Sequence, residues 1–347
     1  MPFISTEAAG RPHIFGVVGD RAVSGVVFQD GHEVGTWADM RVSSSSLDVW
    51  ATGKRPRRGV DSEPRHDRLI RGFGEDAYRR LRTTTVGLIG CGGGGSHVVQ
   101  QLAYLGVGSL VVVDGDLVEE TNLNRLIGAV PARRHRSLVD WVLHRGIGDV
   151  GRPKVEVMGR LVQSIDETIR FTAIKDQFPS RETVDVLRRC DIVIACVDRL
   201  QVRDDLNRLC KRYLIPLLDV GLEITPHPDG SGTVVAIPGR VTKVLADGPC
   251  LRCQGLVDDA KLAAERGGQP LGYAGSARIP DPAVVTLNGI VASVAATEVL
   301  QLVTGFAGTS APNCGWTYDG IQGVTERTVK EFRACFACQA ERALGDT

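Results

Sequence analysis

Val86-Gly-Leu-Ile-Gly-Cys-Gly-Gly-Gly-Gly95 is the stretch on which the fold turns. Val86–Gly90 reads as a buried strand, and Gly90–Gly95 lies directly between that strand and a helix expected over Ser96–Leu105. Glycines at such a turn permit a tight bend and let phosphate oxygens approach backbone N–H groups at a helix N-terminus. A second apolar strand, Ser109-Leu-Val-Val-Val-Asp114, follows. Asp114 comes nineteen residues after Gly95, where a strand-end carboxylate can bind ribose hydroxyls. Alone, the pattern suits NAD, FAD, S-adenosylmethionine or ATP, and a glycine-rich turn that binds nothing has the same local signature.

Beyond this unit strands and helices alternate. Strands are expected at Ile169–Ile174, Asp191–Cys196 and Pro216–Val220, and helices at Lys154–Ile165, Arg181–Arg189 and Val202–Tyr213. Such alternation predicts an α/β fold: a Rossmann-like, mostly parallel sheet with helices on both faces. Pro153 stands where the first helical residue is expected, which suits its fixed φ and missing N–H. Pro282–Gly305 reads as a long apolar helix, either core or dimer surface. Residues 1–60 differ. Short strand-like runs (His13–Val18, Val23–Phe28), the turn signal Asp30-Gly31, a serine run at Ser43–Ser46 and the basic Lys54–Arg58 suggest a small N-terminal β appendage with a linker, before a main domain over 61–347. No internal repeat is visible.

With 347 residues, 43% of them apolar, the chain can bury a full core without disulfides. Its 41 basic and 41 acidic residues argue against bulk attraction to nucleic acid or anionic membrane. No apolar run is expected to span a bilayer and the start lacks a signal-peptide pattern, so a cytoplasmic protein is expected. Nine cysteines, an odd number, fit a reduced compartment with a metal site better than a disulfide framework.

Gly115-Asp-Leu-Val-Glu-Glu-Thr-Asn-Leu-Asn-Arg125 narrows the choice of nucleotide. Together with Arg65-His-Asp-Arg68, the glycine loop, Asp114-Gly-Asp116, Asn122-Leu-Asn-Arg125, Gly151-Arg-Pro-Lys154, Cys196-Val-Asp198 and two Cys-x-x-Cys pairs, in that order, the sequence resembles the ThiF/MoeB superfamily, the adenylating relatives of ubiquitin-activating enzymes. The resemblance runs from about Arg65 to Cys338. It implies that Gly90, Gly92, Gly93, Gly95, Asp114 and Asp116 bind ATP, with Asp114 on the ribose. It places Asn122, Arg125 and Lys154 on the phosphates, Asp198 on magnesium, and Arg68 on the ATP of a neighbouring subunit in a homodimer. The chemistry is consistent. A carboxylate attacking the α-phosphorus builds negative charge, which fixed cations and Mg²⁺ offset. Each residue also has a plain alternative: a surface arginine at 68, a helix-start lysine at 154, a helix N-cap at 198. The chain between Arg125 and Lys154 is longer than the family usually has. The extra piece, from Pro131-Ala-Arg-Arg-His-Arg136 to Gly148 with Trp141, is read as a helix near the site mouth or as a surface insertion.

Cys250-Leu-Arg-Cys253 and Cys335-Phe-Ala-Cys338 offer four thiolates, which make a closed tetrahedral Zn²⁺ site; a redox Cys-x-x-Cys is the rival. Some relatives pass the acyl group to a cysteine in a loop before the final long helix, but Gln254–Pro312 contains none. Cys91 and Cys196 are read as packing cysteines, and Cys314 as a weak nucleophile candidate. The function expected is ATP-dependent adenylation of the C-terminal carboxylate of a ubiquitin-like or sulfur-carrier protein. The alternatives are adenylation of a ribosomal peptide, an NAD-dependent oxidoreductase and a non-enzymatic scaffold. A hydride-transfer site requires neither Arg125 nor Lys154, and a scaffold needs none of Arg68, Arg125, Lys154 and Asp198. The N-terminal segment has no paired histidines for an isopeptidase metal site and is read as a docking piece.

Overall fold

Val86–Ile89 and the adjacent Leu110–Val113 and Ile192–Ala195 are apolar on every residue because both faces of these strands are covered. The computed structural model describes residues 13–18, 23–29, 32–36, 39–43, 47–51, 63–132, 148–268, 282–308, 315–328 and 335–341. The N-terminal piece holds strands β1 (His13–Val18), β2 (Val23–Gln29) and β3 (His32–Thr36) in one antiparallel sheet, and β4 (Asp39–Ser43) and β5 (Leu47–Ala51) as a separate pair. The two expected strand runs are both there, with three further strands after them.

Two helices the sequence reading did not anticipate, α1 (Asp67–Phe73) and α2 (Glu75–Thr83), lead into β6 (Thr85–Ile89). Then come α3 (Gly93–Leu105), β7 (Ser109–Val113), α4 (Lys154–Ile165), β8 (Arg170–Ile174), α5 (Arg181–Leu187), β9 (Ile192–Ala195), α6 (Leu200–Tyr213) and β10 (Leu217–Leu222). A small ribbon, β11 (Thr225–Pro226) with β12 (Val234–Ala236), precedes β13 (Pro238–Val244). The chain closes with α7 (Asp259–Arg266), α8 (Val285–Thr304), β14 (Gly315–Asp319), β15 (Val324–Thr328) and α9 (Phe336–Glu341).

One sheet of eight strands carries the body, in the order β15-β14-β13-β10-β9-β6-β7-β8. β10, β9, β6, β7 and β8 are parallel, and β13, β14 and β15 extend the sheet antiparallel. Alternate residues of each strand enter opposite layers. Leu110, Val112, Ile192 and Ile194 pack with α3, α4 and α8, whereas Val111, Val113, Val193 and Ala195 pack with α5 and α6. The parallel core was legible in the apolar runs. The antiparallel extension was not, because β13–β15 carry mixed polar patterns.

α8 qualifies the expectation that no apolar run reaches spanning length: its 20 residues average a hydropathy of 1.4. It nevertheless buries Asn288, Glu298 and Gln301 inside the protein, and Glu298 pairs with the equally buried Lys243 at 2.8 Å. It is a core helix of this fold.

Candidate active site

The glycine loop bends because Gly90 has φ +83°, and a Cβ there would lie 2.5 Å from the Cys196 carbonyl oxygen. A Cβ on Gly95 would lie 2.0 Å from the Gly90 oxygen, so the first turn of α3 fits against the loop only without a side chain. The helix begins three residues earlier than expected, and among the described residues no side chain caps its N-terminus at Gly92. Its first N–H groups therefore remain available to an anion. A Cβ on Gly93 would lie 2.5 Å from the side-chain nitrogen of Asn288 on α8 and 3.3 Å from Cδ of Arg125.

Asp114 ends β7. Its carboxylate accepts the Cys91 N–H at 2.7 Å and the Asp116 N–H at 2.8 Å, tying the glycine loop to the Asp114-Gly-Asp116 turn. The segments Asp116–Val118 and Gly151–Lys154 are zipped antiparallel: Val118 N–H to Arg152 O at 2.8 Å, Gly151 N–H to Val118 O at 2.8 Å, Lys154 N–H to Asp116 O at 3.0 Å. That zipper places Lys154 beside Asp116, Nζ to Oδ2 2.8 Å. Burial alone would lower the lysine's pKa, but Asp116 and Asp114 outweigh it and hold the ammonium above its ordinary value. Pro153 stands one residue before the first residue of α4 rather than in it.

These groups line a cleft of about 240 Å³ at the C-terminal edge of the parallel strands, where ligands of open α/β sheets bind. Gly90, Gly92, Asp114, Asp116, Lys154 and Asp198 all face it, with Ile89, Val113, Phe178, Val197 and Val202 supplying apolar walls. Asp198 is exposed and does not cap α6, whose N-cap residue is Arg199. Cleft residues that the sequence reading missed are Asp176, Gln177 and Phe178 after β8, and Arg199. The strand-end rule alone could have pointed to the first three.

Arg68, Asn122 and Arg125 do not line the cleft. Asn122 spends its side-chain oxygen on the Glu119 N–H at 3.1 Å, closing a turn, and Arg125 donates to Thr121 O and to Asn124 at 3.2 Å. Arg125 nonetheless lies beside the glycine loop: a Cβ on Gly93 would come within 3.3 Å of its Cδ. Arg65 donates to Ile165 O at 2.8 Å and pairs with Asp166, while His66 is buried against Tyr78, and burial pulls its pKa down. These anchors fix α1 and leave Arg68 exposed on it.

The four cysteines converge. Cys250–Cys253, Cys250–Cys335 and Cys253–Cys338 Sγ distances are 3.7, 3.5 and 3.6 Å. Sulfurs on a tetrahedron about 2.3 Å from zinc lie about 3.8 Å apart, so the quartet fits that ion. α6 holds the knuckle from one face. Asn207 accepts the Leu251 N–H at 2.9 Å, Asp204 pairs with Arg252 at 2.8 Å, and Lys211 donates to Leu245 O at 2.8 Å and Gly248 O at 2.6 Å. Burial raises the Cys91 thiol well above its ordinary pKa and the Cys196 thiol to about 12, as suits packing residues. Cys314 and residues 133–147 of the insertion lie outside the described residues.

A glycine loop, an aspartate and a lysine gathered at the C-terminal edge of a parallel sheet define a Rossmann-like site of the kind that binds nucleotides. The chain belongs to the ThiF family, which it matches over residues 66–339. It is 30% identical over 180 residues to the SAMP-activating enzyme E1 of Haloferax volcanii, spanning 52% of this chain and only 56% of that protein. It is 27% identical over 242 residues to the molybdopterin-synthase adenylyltransferase of Escherichia coli, 69% of this chain and 80% of the relative. Among solved structures, the microcin C7 biosynthetic enzyme MccB in complex with N-formylated MccA shares the fold with a TM-score of 0.59 at 18% identity, covering 82% of this chain and 77% of that one.

Proposed function

We propose that this chain is an ATP-dependent adenylyltransferase that activates the C-terminal carboxylate of a small ubiquitin-like or sulfur-carrier protein. The observation that carries the reading is the zipper that sets Lys154 and Asp116 beside Asp114 and the glycine loop, in a chain whose relatives include an adenylyltransferase and an activating enzyme. In the reaction a carboxylate oxygen of the substrate bonds to the α-phosphorus, the bond to the β-phosphate oxygen breaks, and pyrophosphate leaves with the electron pair.

Asp114 holds the ribose, the N–H groups of the glycine loop and Lys154 hold phosphates, and Arg125 and Asn122, which lie outside the cleft, would swing to the phosphates from the adjoining loop once nucleotide binds. Asp198, exposed in the cleft among further carboxylates, suits Mg²⁺, a hard ion that prefers oxygen ligands. Bound there, magnesium would neutralise phosphate charge. Cys250, Cys253, Cys335 and Cys338 would hold Zn²⁺ as a staple between the C-terminal end and the body, and reduced thiolates suit a cytoplasmic location. The enzyme works as a homodimer with Arg68 reaching the partner's nucleotide, which agrees with its exposure away from its own cleft. Residues 1–60 form an appendage that docks the substrate, with the adenylation domain over 61–347. That appendage also supports a second reading, in which the carboxylate belongs to a ribosomal peptide.

Calorimetry separates the reading from its NAD-dependent rival. Mg-ATP binds and NAD binds poorly; tight NAD binding without ATP binding overturns the proposal.

A further inference from the structure

Among the described residues, six charged side chains line the cleft: Asp114, Asp116, Lys154, Asp176, Asp198 and Arg199. Four of them are committed. Asp114 accepts two backbone N–H groups, Asp116 holds Lys154, and Asp176 accepts from Ser180 and from the Gln177 N–H at 2.7 Å, which together keep its carboxyl below the usual range. Among the described residues no side chain pairs with Asp198 or Arg199. A bound polyphosphate would thus meet a lysine already neutralised by its carboxylate and one uncommitted cation, Arg199.

The corner that carries Arg199 is clamped on both sides. Before it, the buried Arg203 donates Nε and Nη2 to the Val197 carbonyl at 3.0 and 2.6 Å and Nη1 to Asp219 at 3.0 Å. After it, the two carboxylate oxygens of Glu265 on α7 accept the Leu200 and Gln201 N–H groups at 2.7 and 2.8 Å. Arg266 adds 2.9 and 3.2 Å bonds to the Gln201 side chain. An anion on the first N–H groups of α6 is favourable in itself. Its further effect is to fix the backbone so that only Asp198 and Arg199 of the corner remain exposed.

We propose that Arg199 is a phosphate-binding residue for the nucleotide in its own chain, and that Arg203 and Glu265 are positioning residues that hold it toward the cleft. A planar guanidinium can meet two phosphate oxygens at once. The inference rests on the ATP-dependent reading above and adds an intrachain cation to it.

The test is calorimetric titration of the full chain with Mg-ATP and, separately, with adenosine, which has no phosphate to lose. Arg199→Ala raises the Kd for Mg-ATP about ten- to a hundredfold, the range expected for a lost charged hydrogen bond, and leaves adenosine affinity unchanged. Arg199→Lys recovers part of the loss. Glu265→Gln weakens Mg-ATP in the same direction, again with adenosine unchanged, which a merely structural role would not produce. Unaltered adenosine binding also certifies that each variant is folded. If wild-type protein binds Mg-ATP and Arg199→Ala binds it equally well, the assignment is overturned while the adenylation reading stands. If wild-type protein binds no Mg-ATP, both fall.

Discussion

Asp198 is exposed, two residues after the half-buried Cys196 that follows β9, while the N-terminus of the following helix is capped by Glu265 instead. A carboxylate at the mouth of a cleft with no partner among the described residues is free for a ligand. Asp198→Ala should therefore cut pyrophosphate exchange by about two to three orders of magnitude, the usual loss for one transition-state electrostatic contact, without lowering the melting temperature. Cys91→Ala and Cys196→Ala should leave exchange largely intact, because burial keeps both thiols protonated, and a non-reducing gel should show no thiol-labile adduct. At this scale the sequence showed most of the cleft. Asp114, Asp116, Lys154 and Asp198 were readable because each sits in a short block of fixed spacing. Asp176 and Gln177 were not, since they follow an edge strand with no motif. Arg199 was hidden by its ordinary identity as a basic residue at a helix start.

α6 illustrates what pattern reading misses in an element. Asp204, Asn207 and Lys211 recur on one helical face and would pass for a solvated stripe, yet all three are buried. They bind the backbone and the arginine of the first cysteine pair, so the polar face is a cradle for the metal knuckle. Lys211→Met would strand buried carbonyls and should destabilise the fold by roughly 1–3 kcal/mol, read as a lowered denaturant midpoint. Cys253→Ser should reduce zinc from one equivalent to a small fraction and make the C-terminal region sensitive to protease, because binding energy at a structural site is folding energy. Elemental analysis that finds no zinc in wild-type protein purified without chelator would count against the site. The long helix α8 was legible as apolar, but its buried Glu298–Lys243 pair was not, since Lys243 lies on a strand absent from the sequence reading.

For the whole molecule, the parallel character of β10, β9, β6, β7 and β8 was legible in the alternation of strands and helices, whereas the antiparallel edge β13–β15 carries no such signal. Arg68 connects the fold to its assembly: Arg65 and His66 anchor α1 and leave Arg68 outside its own cleft. If it serves a neighbour, mixing Arg68→Ala chains with Asp198→Ala chains should restore partial exchange activity, since each heterodimer keeps one intact site. No rescue, or a monomer by light scattering, would reject the exchange of residues between subunits. The central claim, activation of a protein C-terminus by ATP, is tested most directly by ATP–pyrophosphate exchange against a panel of small carrier proteins and peptides, each supplied with a free C-terminal carboxylate and as its amide. The account predicts magnesium-dependent exchange with at least one free carboxylate and none with its amide; Mg-ATP binding without exchange on any carboxylate, or exchange indifferent to amidation, would contradict it.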